Sequence, residues 1–313
     1  MIDKLELKIE DEITSRELKN RLLGLRIPTK PAKLSGKGRY ELIGSKNQGV
    51  YIRIGFEHDN IYEVSLNPAR FYSFKECLEF LELIFEPLTL SRMKIKRMDI
   101  AFDLNFDFET VKNGVYVGSK KKSVLYQENS MLTGMTIGTS KELFRIYDKY
   151  LETKKRKKIP LPRNPTTRVE LQLRAKEIPY KNIYDLAEAA FKDDMEGLIQ
   201  AFSKITLNQI NFLPEPTHNS VAMRSFHRVK AFVEANCYQH ARKCLNKSGN
   251  FYRTYQKHLS ISRLVDPMQE IKQSLNKTFA SWRQINTPVL RPAITNQFNN
   301  QLLKEIKSVR KCK

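Results

Sequence analysis

No run of apolar residues in this chain reaches the roughly 18 to 20 that a helix needs to cross a bilayer, and the opening Met-Ile-Asp-Lys-Leu-Glu does not read as a signal peptide. A cytosolic protein without a membrane partner is expected. Cysteine is equally scarce: Cys77, Cys237, Cys244 and Cys312 are too few and too scattered for a disulfide framework, which fits a reducing compartment. Gly-rich phosphate loops of the Walker type are missing, which argues against an intrinsic ATPase or helicase. Among the five histidines, His58, His218, His227, His240 and His258, no two stand at His-x-His spacing, so a two-histidine metal motif is excluded. Cys237, His240 and Cys244 would share a helix face, but structural zinc draws four ligands from two elements, so a buried helix face is the better reading.

Positive charge is what the chain has in excess. Lys and Arg number 55 against 34 Asp and Glu, a formal charge of +21 spread along the whole length, and a polyanionic partner is the first expectation. Hydrophobic residues at 41% are enough to bury a substantial core, against disorder, and 313 residues allow one large or two to three smaller domains.

The first 35 or so residues, polar and basic with Pro28 and Pro31, read as an arm or as a short helix and loop. Tyr40 to Ile43, Val50 to Phe56 and Ile61 to Leu66 then read as strands, with Glu57-His-Asp-Asn60 as a turn. Ser73 and Glu76 open a helix whose apolar residues recur at helical spacing up to Phe85. The order recurs with strands at Leu143–Lys149 and Arg168–Arg174 and a helix from Lys181 to about Phe202. The expected fold is α+β: a central antiparallel sheet with helices on one face, in two related strand–strand–helix halves, plus a C-terminal helical module. The expected divisions are 1–88 for the first half, 89–213 for the second, 214–282 for a basic helical DNA-recognition module and 283–313 for a flexible tail.

Three segments carry candidate chemistry. In Arg97-Met-Asp-Ile-Ala-Phe-Asp103 the alternation turns Met98, Ile100 and Phe102 to the core and Arg97, Asp99 and Asp103 away from it. In Leu143-Phe-Arg-Ile-Tyr-Asp-Lys149 it turns out Arg145, Tyr147 and Lys149, and in Arg168-Val-Glu-Leu-Gln-Leu-Arg174 it turns out Arg168, Glu170 and Gln172. If these strands are neighbours, Asp99, Tyr147 and Glu170 share one uncovered face. An antiparallel sheet with a wet face shows polar residues there in any case. Phosphodiester transfer, however, needs these types together: an oxygen nucleophile, carboxylates for a hard divalent cation, and cations to offset the charge of the transition state.

The trio, in this order, with Ser65-Leu-Asn-Pro68 and the Gly138-x-Ser140 turn, resembles the replication initiation factor family of rolling-circle plasmids and phages (Rep-trans type), the staphylococcal plasmid initiators among them. The likeness spans about residues 60 to 175 and continues faintly at Arg253-Thr-Tyr-Gln-Lys257. It implies that Tyr147 is the nicking nucleophile and that Asp99 and Glu170 are metal ligands. It also implies a homodimer, a bacterial cytoplasmic setting and recruitment of a host helicase. Asp148 follows the tyrosine where relatives carry Asn, and the N-terminal region matches poorly.

The expected activity is metal-dependent nicking and joining of one strand at a double-stranded origin, through a covalent 5′-phosphotyrosine. Tyr147 would attack, Arg145, Lys149 and Arg168 would offset charge, and Asp99, Glu170 and Asp103 would hold Mg²⁺ or Mn²⁺. The nick site must be single-stranded or an extruded hairpin to enter such a pocket. Lys154, Lys155, Arg156, Lys157 and Lys158, read as a basic loop, together with Arg253 and Lys257, would contact DNA phosphates. Within enzymes the alternative is the same chemistry in a phage or integrative element, and from another class it is a non-catalytic nucleic-acid-binding protein that stacks bases on the sheet face.

Overall fold

Apolar and charged residues alternate in Leu5-Glu-Leu-Lys-Ile-Glu10, and a period of two puts the buried Leu5, Leu7 and Ile9 on one side of a strand. The stretch expected as an arm or a short helix and loop thus opens with a strand, β1 (Ile2–Glu10), and then holds a short helix, α1 (Ser15–Gly24). The helix opens on a reciprocal pair of bonds: the Glu17 amide donates to Thr14 Oγ1, and the Thr14 amide donates to Glu17 Oε2. The computed structural model describes residues 1–10, 14–24, 29–31, 39–43, 51–58, 61–68, 81–82, 84–85, 92–118, 122–128, 131–157, 166–218, 220–235 and 257–283. They fall into two units, one made of Met1–Leu7 and Lys94–Thr278, the other drawn from Lys8–Met93 and Phe279–Lys313.

In the second of these units β2 (Thr29–Pro31), β3 (Arg39–Ile43), β4 (Tyr51–His58) and β5 (Ile61–Leu66) follow one another as an antiparallel meander. β4 and β5 pair as the expected hairpin has them, with Ile54 opposite Val64, but Glu57 and His58, expected in the turn, belong to β4, and Asp59 and Asn60 lie outside the described residues. Most of the helix expected from Ser73 lies outside the described residues, but Leu81, Ile84 and Phe85 at its end are buried.

The larger unit continues with β6 (Lys94–Leu104), α2 (Phe108–Gly114), β7 (Val115–Val117), β8 (Ser123–Glu128), β9 (Met131–Gly138) and β10 (Glu142–Asp148). Then come α3 (Lys149–Lys157), β11 (Thr167–Arg174), α4 (Ile183–Lys192), α5 (Glu196–Ala201), β12 (Ile205–Phe212), α6 (Ser220–Ala235), β13 (Leu259–Val265) and α7 (Pro267–Arg283). Its main sheet has the order β1-β6-β11-β10-β9-β8, and β13-β12-β7 form a smaller sheet, so the chain is α+β. On one face of the main sheet Met98, Ile100, Phe102, Phe144, Ile146, Val169 and Leu171 are buried, and the Phe202 ring packs 5.6 Å from Phe102 and 6.0 Å from Phe144. Each such side chain contributes about 1.5–3 kcal/mol by leaving water.

Three expectations change. The single helix from Lys181 to Phe202 is two, because Asp193 takes a left-handed conformation (φ 62°) that ends α4, its amide donating to the Ala189 carbonyl. The basic loop after Tyr147 is largely helical: Asp148 Oδ1 accepts from the Leu151 amide at 2.9 Å and caps α3. The stretch 214–282, read as purely helical, contains β13, whose Ile261 stands opposite Ile210 of β12. A chain cut near Leu213 would strip β12 of one of its two partners and leave only β7, so this stretch does not stand apart from the sheet it completes. No helix among the described residues is long and apolar enough to cross a membrane. The Cys237-His240-Cys244 stretch and the tail beyond Arg283 lie outside the described residues.

Where α2 meets β12 the backbones nearly touch. A Cβ on Gly114 would stand 1.6 Å from the Asn208 carbonyl oxygen, whereas one on Gly118 would find its nearest neighbour, Lys204 O, at an ordinary 3.8 Å. Gly114→Ala should cost about 1–3 kcal/mol or more by urea denaturation, from forced backbone displacement, while Gly118→Ala stays close to wild type.

Candidate functional site

Residues paired across an antiparallel ladder point to the same face, so the registers set out rows of side chains. One row runs Tyr126, Gly134, Tyr147, Arg168, Asp103; the next runs Val124, Thr136, Arg145, Glu170, Ala101. Asp99 stands one row further, opposite Gln172. The placement of β11 between β6 and β10 brings together residues that lie far apart in sequence, and Asp99, Tyr147 and Glu170 share a face as expected.

The middle of that face is dry, whereas Asp103 and, further out, Val124 and Tyr126 remain exposed. Asp99 and Glu170 are each 1% exposed, and Arg168 and Gln172 are buried as well. Guanidinium groups bonded to the acids account for this closure. Arg97 grips Asp99 through Nε and Nη2 at 2.7 and 2.6 Å, and its Nη1 reaches Glu6 at 3.4 Å. Arg168 grips Asp103 in the same two-pronged way, at 2.6 and 2.8 Å, and reaches Asp3 at 3.2 Å. Arg145 donates through Nη2 both to Glu170 and, at 3.5 Å, to Asp99, while its Nε is buried without a partner. Forked pairs of this kind are strong in geometry, and in the Arg97–Asp99 pair the carboxylate has also left water.

The Tyr147 hydroxyl donates to Glu170 Oε2 at 3.4 Å. Burial, and then the Glu170 charge, push the phenol above its ordinary pKa, so the resting group is a protonated tyrosine. Glu170 is pushed up to about 7, first by burial and also by the nearby Asp99 charge, against the pull of Arg145. Burial works against the charge on Arg168, yet Asp103 and Asp3 hold it above the usual arginine range.

The remaining candidates separate. Lys149 is the first residue of α3, not the last of the strand; its Nζ bonds Glu152 at 2.6 Å and lies 5.8 Å from the centre of the Tyr147 ring. Lys154 is exposed on α3, where Lys155, Arg156 and Lys157 continue the helix. Lys257 is exposed in the turn before β13, and Lys158 and Arg253 lie outside the described residues. Sequence reasoning missed Asp3 and Glu6, which the alternation in β1 could have disclosed, and gave Arg97 no role.

Asp99 and Glu170 converge on one positive group, Arg145, which fits a place for a cation between two carboxylates. Asp103 does not converge with them, since both its oxygens are taken by Arg168. Among the described residues no three His, Cys, Asp or Glu side chains gather as a metal cluster. A scan against protein-family models finds no match to the chain, and a search of curated proteins finds none.

A carboxyl group whose folded pKa is raised binds a proton that the unfolded chain sheds. Stability from Glu170 is therefore present below the ordinary carboxyl range and is lost as the pH climbs through about 7. Thermal midpoints measured from pH 5 to pH 8 should fall more steeply for the wild type than for Glu170→Gln. Parallel curves would place the uptake elsewhere.

Proposed function

We propose that this chain is a replication initiator of the rolling-circle kind, which nicks one strand of an origin through Tyr147. The observation that carries the reading is the Tyr147 hydroxyl bonded to Glu170, with Arg168 beside it in its own row and Arg145 on Glu170 in the next. The resemblance to plasmid initiation factors supports the same residue.

A protonated tyrosine must lose its proton as it attacks, and Glu170, made more basic than an ordinary carboxylate, is placed to accept it. The phenolic oxygen bonds to phosphorus, the bond from phosphorus to the 3′ oxygen breaks, and that oxygen leaves with a proton from solvent. The products are a 5′-phosphotyrosine and a 3′-OH that can prime synthesis. Arg145 and Arg168 offset the charge that builds on the phosphate. Lys149, tied to Glu152 beside the ring, orients Tyr147 rather than touching the reacting atoms.

Metal dependence belongs to the same proposal. Glu6, Asp99 and Glu170 meet Lys4, Arg97 and Arg145 in one bonded chain, three carboxylates against three cations, and Asp3 and Asp103 share Arg168 in a second group, so an arriving phosphate adds negative charge that neither group offsets. Mg²⁺ or Mn²⁺ held by Asp99 and Glu170 supplies the missing positive charge. Duplex contacts fall to α6, whose Arg224, Arg228 and Lys230 are exposed, and to α3 and Lys257. A homodimer and a host helicase are the partners that the resemblance implies.

The second reading, a nucleic-acid-binding protein without chemistry, is favoured by the elevated pKa of Tyr147 and by the half-exposed Tyr126 on the same face. Incubation with supercoiled plasmid carrying the cognate origin separates the two, because only the first gives nicked circles with protein attached.

Tyr147→Phe should abolish both nicking and the covalent adduct while duplex binding in a gel-shift assay stays within about twofold, a change on the order of RT. A gel-stable adduct in this variant would move the nucleophile elsewhere, Tyr150 first. Glu170→Gln should lose about 100-fold in nicking rate. Full activity in EDTA would remove the metal from the proposal. For the duplex, Arg224→Ala with Arg228→Ala should flatten the salt dependence of log Kd by about 0.9 for each phosphate left without its cation.

A further inference from the structure

Beside Tyr147 the sheet face is unusually bare, and at its rim it is unusually apolar. Gly134 stands opposite Tyr147 and has no side chain; a Cβ there would come within 3.0 Å of the Tyr147 Cβ. The next residue in the row is Tyr126 on β8, the strand at the end of the sheet order. Its hydroxyl lies 3.4 Å from Thr136 Oγ1, so the ring leans inward toward β9, yet Tyr126 remains 49% exposed. Val124, two residues back on the same face, is 41% exposed. Past the bulge between Tyr126 and Gln127, Met131 pairs with Glu128, which returns it to this face, and it is 58% exposed.

A glycine opposite an aromatic residue has a purely structural use, since the ring covers the bare backbone. That explains one face of the Tyr126 ring and leaves the other. An apolar strip along an edge strand is a liability for aggregation unless it has an occupant. The occupant must suit a flat aromatic surface, a basic protein and a position two strands, about 10 Å, from Tyr147. Unpaired nucleobases meet all three conditions: each has a flat face that stacks on an aromatic ring whatever its sequence, and the phosphate chain that links them is drawn by the charge of +21.

We propose that Tyr126, flanked by Val124 and Met131, is the stacking platform for a base of single-stranded DNA next to the phosphate that Tyr147 attacks, with Gly134 as the bare floor between them. This rests on the nicking reading for the identity of that phosphate, but the platform itself is a binding site that can be tested without cleavage.

The test uses the full chain and an oligothymidylate of about 12 nucleotides, within the usual site size for single-strand binding. Tyr126→Ala should raise its Kd about tenfold, and Tyr126→Phe should not. On the Tyr147→Phe protein, an oligonucleotide scanned with 5-iodo-deoxyuridine should cross-link under long-wavelength light to the peptide holding Tyr126. The cross-link from a base neighbouring the nick position should dominate. Unchanged Kd in a folded Tyr126→Ala variant, or cross-links confined to other peptides, would overturn the platform. So would a fall in sedimentation coefficient from dimer to monomer in Tyr126→Ala, which would assign the strip to a second copy of the chain. If the wild type fails to nick its origin while the Kd and cross-link results hold, the nicking reading falls and the platform stands. If it nicks with unaltered KM in Tyr126→Ala, the reverse is true.

Discussion

The guanidinium of Arg145 is the constraint on which the rest of the site depends. It sits on β10, grips Glu170 on β11 and reaches Asp99 on β6, so one side chain links three strands and keeps two buried carboxylates tolerable. Removing one member of a buried pair typically costs about 3–5 kcal/mol, because the other is left charged and dry. Replacing such a network with apolar residues would often stabilise the fold. Its presence in the middle of a sheet is therefore better explained by what it does than by what it holds together, and what it does is fix the environment of Tyr147.

The tyrosine itself is positioned by rules that operate along the backbone. The register with β11 sets it beside Arg168, and the register with β9 sets it beside a glycine. Immediately after it Asp148 stops the strand by capping α3, so the polypeptide turns away and leaves the ring at the end of β10. Lys149 is thereby brought back over the ring instead of extending along the sheet.

Much of this was legible in the alternation of residues. The strands carrying Asp99, Tyr147 and Glu170 fall within a few residues of where the period of two puts them, because each buries a full apolar face. The pattern fails where that condition fails. β9 is interrupted by glycines, β8 keeps Val124 and Tyr126 in solvent, and β13 exposes most of its residues, so none of these strands shows a clear alternation. Sheet order is also invisible locally, and the contribution of Asp3 and Glu6 follows only from β1 lying against β6. Above all, alternation says which side chains share a face but not whether water reaches it. Arginines long enough to fold over their neighbours left Asp99 and Glu170 dry at the centre of a face expected to be wet, while Asp103, Val124 and Tyr126 stay exposed.

Dryness changes what the chemistry must be. In water a tyrosine could be activated by nearby positive charge alone, but here burial and Glu170 favour its neutral form, so no standing phenolate is available. The network has another means of moving the proton. On the proposed reading, a phosphate that arrives between Arg145 and Arg168 competes with the carboxylates for the same donors, and whatever share of Arg145 it takes is withdrawn from Glu170. A buried carboxylate with less of its cation becomes a stronger base, at the moment when the hydroxyl bonded to it faces phosphorus. On that reading, binding of the substrate and activation of the nucleophile are one exchange of hydrogen bonds, and the resting protein would guard its tyrosine by keeping that exchange unmade.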